Sequence, residues 1–266
     1  MKKLFALILA GIMCLSLVAC GGRDAPAEDS SGDAATEETT DPAAETYTVG
    51  ICQLVQHVAL DAATQGFMDA LKAELGEENV TFLNENANNE IPVCTTIVTN
   101  FVSKKVDLIM ANATPALTAA VNGTSTIPVL GTSITEYGTA LGIDDFNGLV
   151  GGNVSGTSDL APLDQQAEMI TTLFPEAKTV AMLYCSSEPN SQYQVDVVDE
   201  YLTSEGMICT HYKFSDSNDL GTITQKAASE SDAIYVPTDN TVASNTEIIN
   251  NICEPLKMPI FAGEQD

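Results

Sequence analysis

The sequence has no tryptophan, few other aromatic residues and little positive charge. Phe and Tyr make up 6% of its 266 residues, and 10 Lys and Arg stand against 37 Asp and Glu, for a formal net charge of -27. A chain this acidic repels phosphate backbones and anionic bilayers, so nucleic acid and an anionic membrane surface are excluded as electrostatic partners. Sugar sites commonly stack rings on aromatic side chains, and the scarcity of such side chains disfavours a sugar ligand.

Histidine is also scarce, and the cysteines lack the spacing of a metal site. The two histidines, His57 and His211, lie far apart in the sequence, which argues against a His-based metal centre or catalytic triad. There is no Cys-x-x-Cys pair, and the cysteines beyond the N-terminal segment are odd in number: Cys52, Cys94, Cys185, Cys209 and Cys253. Most of them lie in apolar surroundings. The sequence therefore predicts buried free thiols, with no disulfide framework, metal or other cofactor.

The N-terminus has the layout of a secretory signal. Lys2 and Lys3 precede an apolar run over residues 4–18, which is short for a membrane span. The run ends in Leu17-Val18-Ala19-Cys20, which resembles the lipobox of bacterial lipoproteins. The resemblance implies a signal peptide over residues 1–19, cleavage before Cys20 and a lipid on its thiol. An ordinary secretory signal, in which Cys20 stands by chance, is the alternative.

Residues 20–46 are predicted to be a disordered acidic tether. They consist mainly of Gly, Ala, Ser, Thr, Pro, Asp and Glu, and such a segment has too little apolar surface to form a core. A lipid at one end and a folded body at the other would hold the protein at the extracytoplasmic face of the bacterial membrane.

From Tyr47 onward, apolar strand-like runs alternate with helix-like stretches. Strands are predicted at residues 47–54, 80–84, 106–110 and 127–130, and helices at residues 60–75, 92–103 and 114–121. In the first helix, Phe67, Leu71 and Leu75 share one face. Thr114 is predicted to cap the third helix, with Pro115 in its first turn. Alternating strands and helices predict the α/β class, with parallel sheets covered on both faces.

The pattern then repeats. Residues 47–54, 105–115 and 125–131 are echoed in order by residues 178–185, 231–240 and 256–263, each about 125–131 positions later. We therefore expect two α/β lobes of one plan, at residues 47–150 and 151–266. Residues 141–156 are predicted to cross between the lobes, with Gly151, Gly152 and Gly156 as the hinge.

Four segments carry a resemblance to a known family. They are residues 106–115 (VDLIMANATP), 127–131 (IPVLG), 235–241 (YVPTDNT) and 259–264 (PIFAGE). They resemble ABC transporter substrate-binding proteins with a type I periplasmic-binding fold, in the group that contains tryptophan- and tyrosine-binding proteins. The resemblance implies a receptor, not an enzyme, whose partners are an amino acid or similar zwitterion and an ABC permease. It also implies that the chain is truncated at its C-terminus. A monomer is expected.

In parallel α/β sheets, ligands bind beyond the carboxyl ends of the strands. A ligand carboxylate is expected on the helix after Thr114, or on the loop over residues 186–191. Asp239 is the candidate to pair with a ligand amine, although it could instead be a helix cap, as could Thr114, Asn190 and Thr238. The predicted site residues are Gln53, Gln56, Asn112, Thr114, Thr132 and Ser133 in the first lobe, and Ser186, Ser187, Glu188, Asn190, Ser191, Thr238, Asp239 and Asn240 in the second.

Two alternatives to a transport receptor stay open at this point. One is a ligand-sensing input protein for a membrane receptor. The other is a two-cysteine racemase, because Cys52 and Cys185 occupy near-equivalent positions in the two halves and paired thiols can exchange a proton on opposite faces of a carbon.

Overall fold

The computed structural model describes residues 45–264. The predicted signal, residues 1–19, lies outside this range, as does the predicted tether apart from its last two residues. In the first half the elements are β1 (Tyr47–Gln53), α1 (Val58–Leu75), β2 (Val80–Asn86), α2 (Ile91–Lys104), β3 (Leu108–Asn112), α3 (Thr114–Gly123), β4 (Val129–Ile134), α4 (Tyr137–Leu141) and β5 (Val154–Ser158). In the second half they are α5 (Leu163–Leu173), β6 (Thr179–Cys185), α6 (Pro189–Ser204), β7 (Ile208–Phe214), α7 (Ser217–Glu230), β8 (Ala233–Val236), α8 (Asn240–Ala243), α9 (Thr246–Leu256) and β9 (Ile260–Ala262).

The strands form two separate parallel sheets of one plan. The first has the order β2-β1-β3-β4-β5 and the second β7-β6-β8-β9. In each sheet the first strand pairs with the next two strands in sequence, so β1 corresponds to β6, β2 to β7 and β3 to β8. This confirms the predicted α/β class and the internal repeat.

A pair of equivalent aspartates supports the duplication at the level of side chains. Asp107 Oδ2 accepts a hydrogen bond from the Thr48 N–H at 2.7 Å, at the start of β1. Asp232 Oδ2 accepts hydrogen bonds from the Lys178 and Thr179 N–H groups at 2.9 Å, at the start of β6. Both aspartates tie the beginning of the first strand of a lobe to the chain that enters its third strand.

Helices cover both faces of the first sheet. On one face α1 packs Phe67, Leu71 and Leu75 against the apolar side chains of β1 and β2, as its periodicity predicts. On the other face α2 and α3 enclose a core that includes Phe101 and Leu117. Full burial of one such side chain stabilises the folded state by about 1.5–3 kcal/mol, so the two helical layers hold the sheet between them.

The second sheet is covered in the same way. On one face α5 and α6 pack against β6 and β8 around the buried Tyr184 and Tyr235. On the other face α7 and α9 pack around Leu220, Ile249 and Cys253. Each lobe therefore has its own two-sided core.

The boundary between the lobes lies later than the sequence predicted. β5 pairs with β4 in the first sheet, although it follows residue 150, and the chain reaches the second lobe through residues 159–162. Gly151 and Gly152 form the turn before β5, and Gly156 lies within β5. The predicted hinge glycines therefore belong to the first lobe, because the last strand of its sheet was not recognised in the sequence.

Candidate functional site

A cavity of about 350 Å³ opens between the two lobes, at the carboxyl edges of both sheets. At these edges the loops that lead from each strand into the next helix expose backbone groups and helix N-termini. The first lobe lines it with Leu54, Asn88, Asn89, Glu90, Ile91, Pro92 and Pro115. The second lobe lines it with Ser187, Glu188, Ser215, Asp216, Ser217, Asn218 and Thr241.

The charged side chains that line this cavity are all acidic: Glu90 from the first lobe, and Glu188 and Asp216 from the second. An anionic ligand would therefore meet no side-chain cation among the lining residues. The apolar part of the lining, which includes Leu54, Pro92 and Pro115, belongs to the first lobe. Such a lining favours a ligand with a cationic group and an apolar body.

Two helix N-termini of the first lobe face this cavity without a side-chain cap. α2 begins at Ile91 with a proline in its first turn, and α3 begins at Thr114 and continues with Pro115. Thr114 is the first helical residue, so the prediction that it caps α3 is wrong: Ala113 precedes the helix and has no side chain that could cap it. Uncapped N–H groups at a helix N-terminus attract a carboxylate through hydrogen bonds and the helix dipole.

Glu188 forms the buried wall of the cavity on the side of the second lobe. Its Oε1 accepts hydrogen bonds from the Thr241 N–H at 2.9 Å and the Thr241 hydroxyl at 2.8 Å. Its Oε2 accepts hydrogen bonds from the Asn240 N–H at 3.0 Å and the Asn240 Nδ2 at 2.6 Å. One carboxylate thus fixes the start of α8 against the start of α6.

Asp239 lies behind this wall and does not reach the cavity. It is 0% exposed, Oδ1 accepts from the Val242 N–H at 2.9 Å and Oδ2 accepts from the Cys185 N–H at 2.7 Å. Burial, reinforced by the nearby Glu188 carboxylate, raises the pKa of Asp239 to about 8, while the two N–H groups oppose the shift. In this structure Asp239 caps α8, which corrects the prediction that it faces a ligand amine.

In the first lobe, Gln53 and Asn112 lie next to each other, but they face α1. They are partners in the register of β1 and β3, and both contact Thr64. The Thr64 hydroxyl donates to Gln53 Oε1 at 2.6 Å and accepts from Asn112 Nδ2 at 3.0 Å. Gln53 and Gln56 line a second, polar cavity of about 330 Å³ beside α1 and β2, together with Asp61, Asn84 and Asn86.

Of the predicted site residues, the structure brings Ser187 and Glu188 to the cavity between the lobes. The remaining ones, apart from Gln53, Gln56 and Asn112, make contacts within their own lobe. Ser186 donates to the Phe214 carbonyl, Asn190 and Gln194 donate to the Thr238 carbonyl, and Ser191 bonds to Asp239. Asn240 is held by Glu188, Thr132 pairs with Asn112 across β3 and β4, and Ser133 lies in the bulge after Gly131 with φ 55°. Thr114 is buried in α3.

The sequence prediction missed the loops that follow β2 and β7. They supply Asn88, Asn89 and Glu90 from the first lobe, and Ser215 and Asp216 from the second. The rule that ligands lie beyond the carboxyl ends of strands applies to these strands as well. Because β2 is parallel to β1, and β7 to β6, the same polar loops could have been selected from the sequence.

The five cysteines within residues 45–264 are free thiols, and the two that suggested a racemase lie in different cores. Cys52 and Cys185 are both buried, Cys52 in the first lobe and Cys185 in the second. Cys52 hydrogen-bonds the thiol of Cys94, and this bond together with burial raises the pKa of Cys52 far above its usual value. Burial also raises the pKa of Cys185. Neither thiol lines the cavity, so the geometry does not support proton exchange on a shared ligand.

Within residues 45–264 there is no group of three His, Cys, Asp or Glu side chains placed to hold a metal ion. The same residues include no helix with the length and hydropathy needed to cross a membrane.

Comparison with known proteins gives consistent results. The profile of the family described as ABC transporter substrate binding protein matches residues 48–266. A tyrosine-binding protein from Clostridioides difficile strain R20291 is 35% identical over 267 residues, which span 99% of this chain and 75% of the relative.

Two solved structures differ in how well they superpose on this chain. The ABC domain from Streptococcus pneumoniae in complex with L-Trp is 31% identical and gives a TM-score of 0.77, covering 82% of this chain and 74% of that one. The ligand-free, open structure of a substrate binding protein with adhesive properties from Clostridium difficile is 37% identical but gives a TM-score of 0.56, covering 83% and 75%.

Proposed function

This chain belongs to the ABC transporter substrate binding protein family, and from that premise we propose that it is the extracytoplasmic receptor of an ABC importer for an aromatic amino acid. Members of the family bind substrates and are not enzymes, in agreement with the receptor predicted from the sequence. The relatives that bind tyrosine and L-Trp support an aromatic amino acid as the ligand.

The observation that carries this proposal is the division of the cavity into two unlike walls. The first lobe presents the uncapped N-termini of α2 and α3, the apolar side chains of Leu54 and Pro115, and one carboxylate, that of Glu90 just before α2. The second lobe presents the carboxylates of Glu188 and Asp216. An amino acid matches both walls, because its carboxylate suits the helix N-termini, its ammonium suits the acidic wall and its ring suits the apolar surface.

Binding would work by closure of the two lobes. A ligand that contacts both walls binds the closed arrangement more tightly than the open one, so it shifts the population towards closure. Residues 159–162 connect the lobes and would take up the change in backbone angles. The permease would then distinguish the loaded receptor by the closed pair of lobes.

The N-terminal segment fits this role. Cleavage before Cys20 and lipidation of its thiol would anchor the receptor to the membrane, and residues 20–46 would serve as the tether. Lobe 1 would then run from residue 47 to the crossing at residues 159–162, and lobe 2 from there onward.

Isothermal titration calorimetry with L-tyrosine and L-tryptophan tests the proposal. Two analogues are titrated into the protein in the same way: tyramine, which lacks the carboxylate, and N-acetyl-L-tyrosine, which lacks the ammonium. We expect at least one amino acid to bind, and each analogue to bind about tenfold more weakly or worse, because each loses a hydrogen bond to a charged group. Binding of tyramine or N-acetyl-L-tyrosine as tight as that of L-tyrosine would refute the two-walled site.

A further inference from the structure

A hydrogen bond joins the two lobes at the cavity between them. Asn89 Nδ2, in the loop after β2, donates to Thr241 Oγ1, in α8, over 3.0 Å. Both residues line the cavity.

The acceptor of this bond is held in place from behind. Thr241 Oγ1 donates its own proton to Glu188 Oε1 at 2.8 Å, and the Thr241 N–H donates to the same oxygen at 2.9 Å. Glu188 and Thr241 are buried, with 2% and 3% of their surface exposed. Hydrogen bonds to a buried carboxylate are strong and polarise the groups that make them, so the threonine hydroxyl is a fixed and improved acceptor for Asn89.

The donor is placed by an unusual backbone conformation. Asn88 and Asn89 have φ values of 52° and 63°, in the left-handed region that non-glycine residues rarely adopt. The Asn89 N–H donates to the Leu54 carbonyl at 2.8 Å, which ties this turn to the end of β1. Consecutive left-handed residues persist where surrounding contacts impose them, and they commonly occur at functional sites.

We propose that Asn89, Thr241 and Glu188 form a latch that stabilises the closed arrangement of the lobes. Asn89 and Thr241 act as positioning residues: they set the affinity by setting the fraction of closed protein, with no need to touch the ligand. Loss of one hydrogen bond between neutral groups changes an equilibrium constant by about two- to tenfold, so the closed-to-open ratio should fall by a factor in this range. The apparent affinity should fall by the factor by which the closed fraction falls.

The latch can be measured without a ligand. Spin labels on cysteines introduced at Ser103, on α2, and Ser229, on α7, report the distance between the lobes by double electron–electron resonance; both side chains are exposed. As a control, the protein without the two introduced cysteines is labelled in the same way, which gives the background from the native thiols. In the ligand-free wild type we expect a distance population that matches the closed arrangement, and in Asn89→Ala and Thr241→Val a larger open population.

Two variants control for loss of packing or of folding. Thr241→Ser keeps the hydroxyl and should keep the wild-type distances. Ser244→Ala removes a hydrogen bond within α8, from Ser244 Oγ to the Asn240 carbonyl, and should also leave them unchanged. Asn89→Gly removes the amide while allowing a positive φ, so it separates the latch from backbone strain and should behave like Asn89→Ala.

The proposal is overturned if the ligand-free wild type is entirely open, or if Asn89→Gly and Thr241→Val leave the distances unchanged. The affinity readout rests on the proposed function: with L-tyrosine as the probe, both variants should raise the apparent Kd by the same factor by which they lower the closed fraction. If L-tyrosine and L-tryptophan do not bind the wild type while the ligand-free distances still shift, the aromatic ligand is wrong and the latch stands.

Discussion

At the scale of single residues, two neighbouring carboxylates illustrate why position in the sequence does not determine which of them faces a ligand. Glu188 and Asp239 each follow a strand of the second sheet, yet Glu188 lines the cavity and Asp239 is enclosed by backbone donors. The difference arises because the Asp239 carboxylate caps its own short helix. The sequence allowed Asp239 to be either a helix cap or a partner for a ligand amine. Only the structure shows its burial, which decides for the cap.

The enclosure of Asp239 predicts a pH dependence of stability. Its pKa is raised from 3.8 to about 8 on folding, so between about pH 4 and pH 8 the folded protein retains a proton that the unfolded chain has lost. The free energy of unfolding should therefore fall as pH rises through this window, and level off above it. Asp239→Asn cannot ionise and should show a flatter profile in urea denaturation at a series of pH values.

Asp69→Asn, on the exposed face of α1, is the control for this measurement and should keep the wild-type slope. A profile for Asp239→Asn that parallels the wild type between pH 4 and pH 8 would contradict the assigned protonation.

At the scale of helices and strands, the periodicity of apolar residues predicted where the elements lie. It did not predict which way the polar side chains at the strand ends point. β1, α1, β6 and β8 lie close to their predicted positions because their apolar residues are buried on both faces or on one helical face. Gln53 was expected at the ligand site because it ends a strand. It faces Thr64 of α1 instead, because side chains alternate between the two faces of a sheet and sequence alone does not say which face meets the cleft.

β5 was not recognised because its residues are small, polar and largely exposed, so neither alternation nor an apolar run marks it as a strand. Its place in the sheet depends on a close approach of backbones. A Cβ added at Gly156 would overlap the Gly131 backbone and the Tyr137 hydroxyl.

Gly156→Ala should therefore destabilise the first lobe by about 1–3 kcal/mol, the usual cost of overpacking. Gly152→Ala is the matched control: Gly152 also has a positive φ, but there is open space around its Cα. We expect a clearly smaller loss for Gly152→Ala in thermal or chemical denaturation. Equal losses for the two variants would show that backbone conformation, and not the approach to β4, decides the effect.

At the scale of the whole molecule, the repeat in the sequence was the strongest signal. Three segments recur in order, and the structure turns them into two sheets with the same strand order around β1 and β6. The predicted crossing between the lobes was wrong because its position depends on which sheet contains β5, the strand with the weakest sequence pattern. The loops after β2 and β7 were not predicted for another reason: they fall between the repeated segments, so the repeat does not mark them.

The proposed anchor predicts where the whole protein resides. Wild-type protein should fractionate with membranes and incorporate labelled palmitate, whereas Cys20→Ser should lose the label, because the serine hydroxyl does not replace the thiol as the lipid acceptor. Cys253→Ser, which alters a thiol buried in the second lobe, is the control and should keep the label. Palmitate incorporation into Cys20→Ser would show that Cys20 is not the lipid site.

A crystal structure of the protein grown with L-tyrosine would show where the ligand binds. We predict that the amino acid lies in the cavity between the lobes, with its carboxylate at the N-terminus of α2 or α3 and its ammonium towards Glu188 or Asp216. A tyrosine bound instead in the cavity beside α1, among Gln53, Gln56 and Asp61, would contradict the account.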